Sequence, residues 1–441
     1  MRRLILGSAM PVASLILAFF CSNANAQAQL PVEIQQKIDK VAHDELAKTG
    51  VPSASVAIVK DGQIAYLHAY GNARLGPDAP ATPEMRYSIG SVSKQFTAAA
   101  ILLLQEQGKL SLDDKVSKFI PGLTRGDEVT IRQLLSHTSG YQDYWPQDYV
   151  MPMMLQPVDA QKILDTWARK PLDFDPGTKW QYSNTNYVIA GLIVEKVSGE
   201  PLLQFLQQEI FIPLKMKSVA DTDKAKLGDT DPTGYMRYAL GPPRPAPKEG
   251  SGWLFAAGEL AMPAEDLAKW DISIINEALL KPASYREFET EVLLKNGLGT
   301  RYGLGVDVSS QLGHRLLSHS GEVSGFTSDN LVFPDERVAV VVLTNQDAAE
   351  AAGAIAMGVA PLLLASDDPA TPAKLAQARK IFEGLQHGTI DRSLFTDNAN
   401  FYFNEQALKD FAASLGPLGV PEGFIQTRQA LRGGMILRVY S

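Results

Sequence analysis

Strand-forming pattern is confined to the two ends of a long stretch of this 441-residue chain, and that separation restricts the folds open to it. Near the start, Ser55 to Lys60 and Gln63 to Tyr70 are rich in β-branched and aromatic residues, and Asp61-Gly62 between them has the pattern of a tight hairpin. Strand character returns only at Arg315 to His319, Ser328 to Phe333 and Val338 to Thr344, with Pro334-Asp335-Glu336-Arg337 as the turn between the last two. An amphipathic helix precedes the first pair, with Ile34, Ile38, Val41, Ala42 and Leu46 at helical spacing and Gly50 as its stop. Another, about Ala348 to Leu364, follows the last strand. The middle, about Leu123 to Leu279, reads as mainly helical, with segments around Ala160 to Arg169, Thr185 to Val197 and Ala264 to Ile275. The pattern predicts an α+β fold in which an antiparallel sheet is completed from both ends of one domain, a helical insert packs beside it, and a cleft lies between the layers.

The flanks carry separate signals. Arg2 and Arg3, an apolar run from Leu4 to Cys21 and the small residues Ala24-Asn25-Ala26 predict a cleavable export signal over 1–26, and with it a periplasmic or secreted protein. Pro11 and the shortness of the run argue against a stable membrane anchor. Cys21 is the only cysteine, so the cleaved chain would hold none, which excludes disulfides, thiol catalysis and cysteine-ligated metals. The six histidines form no HExxH pair, and no metal or other cofactor is expected. A formal net charge of -8 argues against a nucleic-acid partner, which would need a basic face. The main domain is expected over 30–365, a linker over 366–372, and a small α+β tail over 373–441. That tail stops just after a strand-like run, Ile436 to Tyr440, and so is either incomplete or paired from elsewhere. The proline-rich stretch from Gly241 to Gly252 reads as a loop at the surface or over a cleft.

Three short motifs carry the chemistry. Ser91-Val92-Ser93-Lys94 opens a helix expected from Lys94 to Gln107, and a serine three residues before a lysine there shares its face and lies beside backbone amides. Such a match arises about once by chance in a chain this long, and Ser91 or Ser93 could simply cap the helix. Tyr-x-Asn occurs three times, at Tyr70, Tyr182 and Tyr402. Tyr182-Ser183-Asn184 follows the loop Pro176-Gly177-Thr178-Lys179-Trp180 and precedes a helix, a position from which a side chain enters a cleft; the other two read as packing tyrosines. His319-Ser320-Gly321 lies on a predicted edge strand, where Gly321 would allow close approach of a substrate or of the nucleophile's backbone.

In this order the three motifs, with the stretches Leu134-Leu135-Ser136-His137-Thr138-Ser139-Gly140 and Tyr302-Gly303-Leu304-Gly305, resemble the serine β-lactamase, penicillin-binding-protein and related esterase superfamily, in particular its class C-like branch, over about residues 32 to 364. The resemblance implies a β-lactamase/transpeptidase-like antiparallel sheet with flanking helices, a helical subdomain, and acyl transfer through a covalent intermediate. Ser91 would be the nucleophile, Lys94 and Tyr182 its proton carriers, the amides of Ser91 and Glu322 the oxyanion hole, and Asn184 a support for Lys94. Lysine and tyrosine would have to shift each other's pKa to work at neutral pH. His137 and Ser139 invite a triad reading, but their stretch looks like a structural turn of this family.

The match departs from the pattern at His319, where many penicillin-recognising relatives have lysine. A largely neutral histidine binds a substrate carboxylate less well, and if its titration mattered, activity would change near neutrality. The expectation shifts to an ester or D-amino-acid peptide or amide as substrate, with weak β-lactamase activity alongside. The alternatives are a true β-lactamase and a non-catalytic sensor of penicillins or cell-wall fragments. Tyr144, Trp145 and Trp253 are candidates for an acyl pocket.

Overall fold

The structure is a computed structural model that describes residues 29–147, 149–225, 227–364, 371–421, 424, 426–432 and 435–440. The expected export signal with Cys21, and residues 366–370 of the expected linker, lie outside the described residues. Among the described residues no helix is long and apolar enough to cross a membrane.

Helix α1 (Val32–Thr49) buries Ile38, Ala42 and Leu46 and ends where Gly50, at φ 71°, returns its N–H to the carbonyl of Leu46. Strands β1 (Ser53–Lys60) and β2 (Gln63–Arg74) form the expected hairpin, with Asp61 and Gly62 both at positive φ. Far along the chain follow β3 (Asp307–Gln311), β4 (His314–Val323), β5 (Phe326–Phe333) and β6 (Val338–Thr344). The sheet order is the short strand Ala79–Pro80, then β2, β1, β6, β5, β4 and β3, with every neighbouring pair antiparallel. The two ends of the domain meet at β1 and β6, where Val56 faces Val342 and Ile58 faces Val340.

Both faces of these central strands are covered, which is why they read as continuous apolar runs. Val56, Ile58, Val340 and Val342 pack with α1 and α5 (Ala351–Leu363), whereas Ala57, Val59, Val341 and Leu343 face α2 (Ser93–Glu106), α3 (Asn184–Ser198) and α4 (Ala264–Ile275).

The middle of the chain is less helical than its composition suggests. Ala160–Ile163 is a single α-turn that continues as a π-helical turn, and from 213 to 263 proline and glycine break the chain into loops and strands of two or three residues. Within the loop 241–252, Arg244–Pro245 pairs with Tyr235–Met236, and the buried Glu249 carboxylate accepts the N–H of Ser324 at 2.7 Å. That loop is tied to the β4–β5 turn. In the tail, α6 (Thr371–Gln386) begins two residues inside the expected linker, α7 (Glu405–Leu415) follows, and β7 (Gln426–Arg432) pairs antiparallel with β8 (Met435–Tyr440).

Candidate active site

The nucleophile candidate stands at the junction of the two layers. A 3-10 turn, Gly90–Val92, leads directly into α2 and presses against β4: a Cβ on Gly90 would come 2.7 Å from the backbone nitrogen of Glu322. On the strand side, a Cβ on Gly321 would overlap the carbonyl oxygen of Ile89. Gly321 therefore serves the approach of the nucleophile's own backbone. Neither serine caps α2; Ser93 Oγ instead accepts the N–H of Leu260 at 3.2 Å.

Lys94 is fully buried, and its Nζ lies 2.8 Å from Ser91 Oγ, 2.8 Å from Asn184 Oδ1 and 2.7 Å from the carbonyl of Ala257. Burial pushes its pKa down to about 7, with Asp143 pulling weakly the other way. A neutral amine has two N–H groups and one lone pair. Asn184 and Ala257 take the two N–H groups, which leaves the lone pair directed at Ser91. Thr97 Oγ1 donates to the carbonyl of Ala256 at 2.8 Å and so holds the 256–258 turn against α2.

Tyr182 donates to Ser91 Oγ at 2.8 Å. Burial pushes the phenol well above its ordinary pKa, so Tyr182 is a proton donor in the resting site. The shift that lysine and tyrosine were expected to impose on each other is not the main one: burial acts on each separately, lowering the lysine and raising the tyrosine.

The segment before α3 explains how Tyr182 is aimed. Gln181 N–H donates to the carbonyl of His137 at 3.0 Å, and Ser183 N–H to His137 Nδ1 at 3.2 Å. The His137 ring lies under Tyr182 with centroids 4.2 Å apart, and Ser139 Oγ donates to Asn186 Oδ1 at 2.6 Å. The His137 stretch is thus a platform for the tyrosine and not a triad.

His319 Nε2 accepts from the Tyr302 hydroxyl at 2.8 Å while Nδ1 donates to the Ser320 carbonyl at 2.6 Å. Burial, with Lys94 nearby, pushes its pKa down to about 3, which favours the neutral ring at pH 7.

Ser91, Tyr182, Asn184, His319 and Glu322 line one cavity of about 830 Å³. Tyr144 and Trp145 also line it, but Trp253 does not: its ring is buried, Nε1 donates to the carbonyl of Gln156 at 2.8 Å, and its own carbonyl accepts the Tyr144 hydroxyl. Of the other Tyr-x-Asn tyrosines, Tyr70 is buried beside Tyr66 and Asp39, as a packing residue would be, whereas Tyr402 is exposed.

Sequence reasoning missed two supports. Asp143 Oδ1 accepts the backbone N–H of Asn184 at 2.9 Å and its Nδ2 at 3.2 Å, which turns the amide oxygen toward Lys94. Its only signal was position, three residues after Gly140 and just before the cavity-lining Tyr144 and Trp145. The Ala257 carbonyl is backbone and leaves no side-chain signal.

A sheet completed from both ends of the domain, helices on both faces, and a helix-start serine bonded to a buried lysine and a tyrosine define a serine hydrolase of β-lactamase/transpeptidase-like architecture. The chain belongs to the beta-lactamase family, whose model matches residues 38–361. It is 29% identical over 313 residues to a penicillin-binding protein of Bacillus subtilis (strain 168), covering 67% of this chain and 68% of that one. The structure is similar to the octameric penicillin-binding protein homologue from Pyrococcus abyssi, with TM-score 0.67 and 29% identity over 79% of this chain and 81% of that one. It is also similar to a D-stereospecific amidohydrolase from a Streptomyces species, with TM-score 0.63 and 26% identity over 73% of this chain and 96% of that one.

Proposed function

We propose that this protein hydrolyses esters or D-amino-acid peptides and amides through an acyl-enzyme on Ser91. The observation that carries the reading is the placement of Ser91 Oγ 2.8 Å from both Lys94 Nζ and the Tyr182 hydroxyl, with the other two hydrogen bonds of Nζ already taken. Lys94, as the amine, takes the proton of Ser91 while Oγ attacks the carbonyl carbon. The amides of Ser91 and Glu322 receive the oxyanion, and Gly321 keeps the two backbones close enough for them to share it. Tyr182 gives its proton to the departing oxygen or nitrogen and recovers one from Lys94. Water then attacks the acyl carbon and gives its proton to the amine of Lys94, which passes it to Ser91 Oγ as the acyl bond breaks.

The D-stereospecific amidohydrolase among the similar structures supports the amide branch. The neutral His319, in the position where many penicillin-recognising relatives carry lysine, supports esters and amides over efficient β-lactam hydrolysis. The pattern of residues 2–26 supports action in the periplasm or outside the cell. A side-by-side screen of p-nitrophenyl esters, nitrocefin and D-amino-acid amides tests the reading. Turnover of esters or amides, lost in Ser91→Ala, is expected; efficient nitrocefin hydrolysis with none of the others would overturn it.

A further inference from the structure

The cavity in front of Ser91 has a one-sided charge. Its charged lining residues are Asp143, Asp307, Glu322 and Asp347, and among the described residues no lysine or arginine lines it. Three of the four carboxylates accept backbone N–H groups: Asp143 from Asn184 and Trp145, Glu322 from Ala348 at 2.8 Å, and Asp347 from Gly325 at 2.9 Å. Asp307 differs, because among the described residues its carboxylate has no hydrogen bond or ion pair.

The register explains its position. Strand β3 pairs with β4 only from His314 to Ser318, and Asp307 is the partner of Ser318. Beyond Ser318, β3 no longer covers β4, so the stretch from His319 to Val323 borders the cavity, and Asp307 stands at the point where that open edge begins. The charge of Asp307 acts on the Tyr182 phenol, which is itself bonded to Ser91 Oγ, so a substrate with its carbonyl at Ser91 brings the atoms next to that carbonyl into the field of Asp307. Next to it His319 is neutral, and among the described residues no lysine or arginine lines the cavity beside the carboxylate.

We propose that this pocket selects substrates with an ammonium group near the scissile carbonyl, and that Asp307 is the counter-ion that recognises it. This rests on the acyl-hydrolase reading and narrows it: free-amino acyl compounds are taken, while carboxylate-bearing ones are repelled by the acidic lining. Burial holds the Asp307 carboxyl up at about 6, so it is ionised at neutral pH, and an arriving ammonium would stabilise it further.

The test measures protection of Ser91 from a neutral fluorophosphonate at pH 7.5 by three ligands built on one D-alanyl frame: D-alaninamide as the cation, N-acetyl-D-alaninamide as the neutral compound, and N-acetyl-D-alanine as the anion. D-alaninamide should protect at about ten- to a hundredfold lower concentration than the neutral amide, the range of one charged hydrogen bond. The anion should protect least. Asp307→Asn should collapse the ratio between cation and neutral ligand, and Asp307→Glu should retain most of it. Equal protection by all three ligands in the wild type, or an unchanged ratio in Asp307→Asn, would overturn the charge assignment while leaving the hydrolase intact. Failure of the folded wild type to be labelled at all would overturn the acyl-hydrolase reading and this inference with it.

Discussion

The Tyr302 hydroxyl donates to Nε2 of His319 at 2.8 Å, and this bond, with the one from Nδ1 to the Ser320 carbonyl, fixes the imidazole as a neutral ring in one tautomer. Protonating Nε2 would break the first bond and place a second charge in the buried surroundings of Lys94. The His319 resonance should therefore show no change of the size that imidazole protonation gives between about pH 5 and 8 in an NMR titration, only the smaller response to Lys94 titrating near 7. Tyr302→Phe removes the donor, and with a buried acceptor left unmet the melting temperature should fall by an amount equivalent to about 1–3 kcal/mol. A shift of full imidazolium size at His319 near pH 6.5 in the wild type would contradict this arrangement.

Lys94 sets the acid limb of activity. With its pKa lowered to about 7 and the amine as the working form, kcat/KM should rise by about tenfold per pH unit below that value and level off above it. The linkage to stability has the same direction. Between about 7 and the ordinary lysine value of 10.5 the unfolded chain holds a proton that the folded chain lacks, so the contribution of Lys94 to stability improves as pH rises through that window. Below about 7 the full cost of the buried ammonium is present. Lys94→Met should lose this pH slope in chemical unfolding measured from pH 6 to 9.

Asn184 and Asp143 position Lys94 without reaching Ser91 themselves. Removing Asp143 frees the Asn184 amide to rotate, so Asp143→Ala should lower kcat by about ten- to a hundredfold with KM little changed. Its pH profile should also shift, since Asp143 is the one charge that raises the lysine's pKa. A mutant that melts early but keeps the wild-type kcat and pH profile would mark Asp143 as merely structural.

Gly321 is required by space. Gly321→Ala would drive a methyl group into the Ile89 carbonyl, one turn from the nucleophile, so β4 or the Gly90–Val92 turn must move. A loss of at least about a hundredfold in kcat is expected from steady-state kinetics, consistent with the cost of displacing an oxyanion donor. Activity within a few-fold of wild type would mean that the two backbones need not lie so close.

The residues with chemistry were the most readable part of this chain. Ser91, Lys94, Tyr182, Asn184, His319 and Gly321 were separated by up to 230 positions in the sequence, yet each came with a motif; the fold sets Ser91, Tyr182, Asn184 and His319 on one cavity, with Lys94 bonded to Ser91 behind it and Gly321 against the Ile89 carbonyl. What stayed hidden was what lacks a pattern. Strand β3, Asp-Val-Ser-Ser-Gln, is a polar sheet edge with two exposed serines and no apolar alternation. Asp307 on that strand and Asp143 in a loop are single carboxylates whose partners, or lack of them, only the fold determines. Trp253 looked like a pocket wall because aromatic side chains in loops serve packing and binding alike; its burial away from the cavity, with Nε1 bonded to the Gln156 carbonyl, marks it as packing. The helical middle was overread because short helices were extended through a region that proline and glycine divide.

The central claim is that Ser91, and not Ser139 of the His137 stretch, forms the covalent intermediate. Intact mass spectrometry of the wild type after exposure to a fluorophosphonate should show one adduct, mapped by peptide digestion to Ser91. Ser91→Ala should show none and should lose turnover, whereas Ser139→Ala should keep the adduct and lose stability of about 1 kcal/mol through its buried bond to Asn186. An adduct on Ser139, or full turnover in Ser91→Ala, would contradict the account.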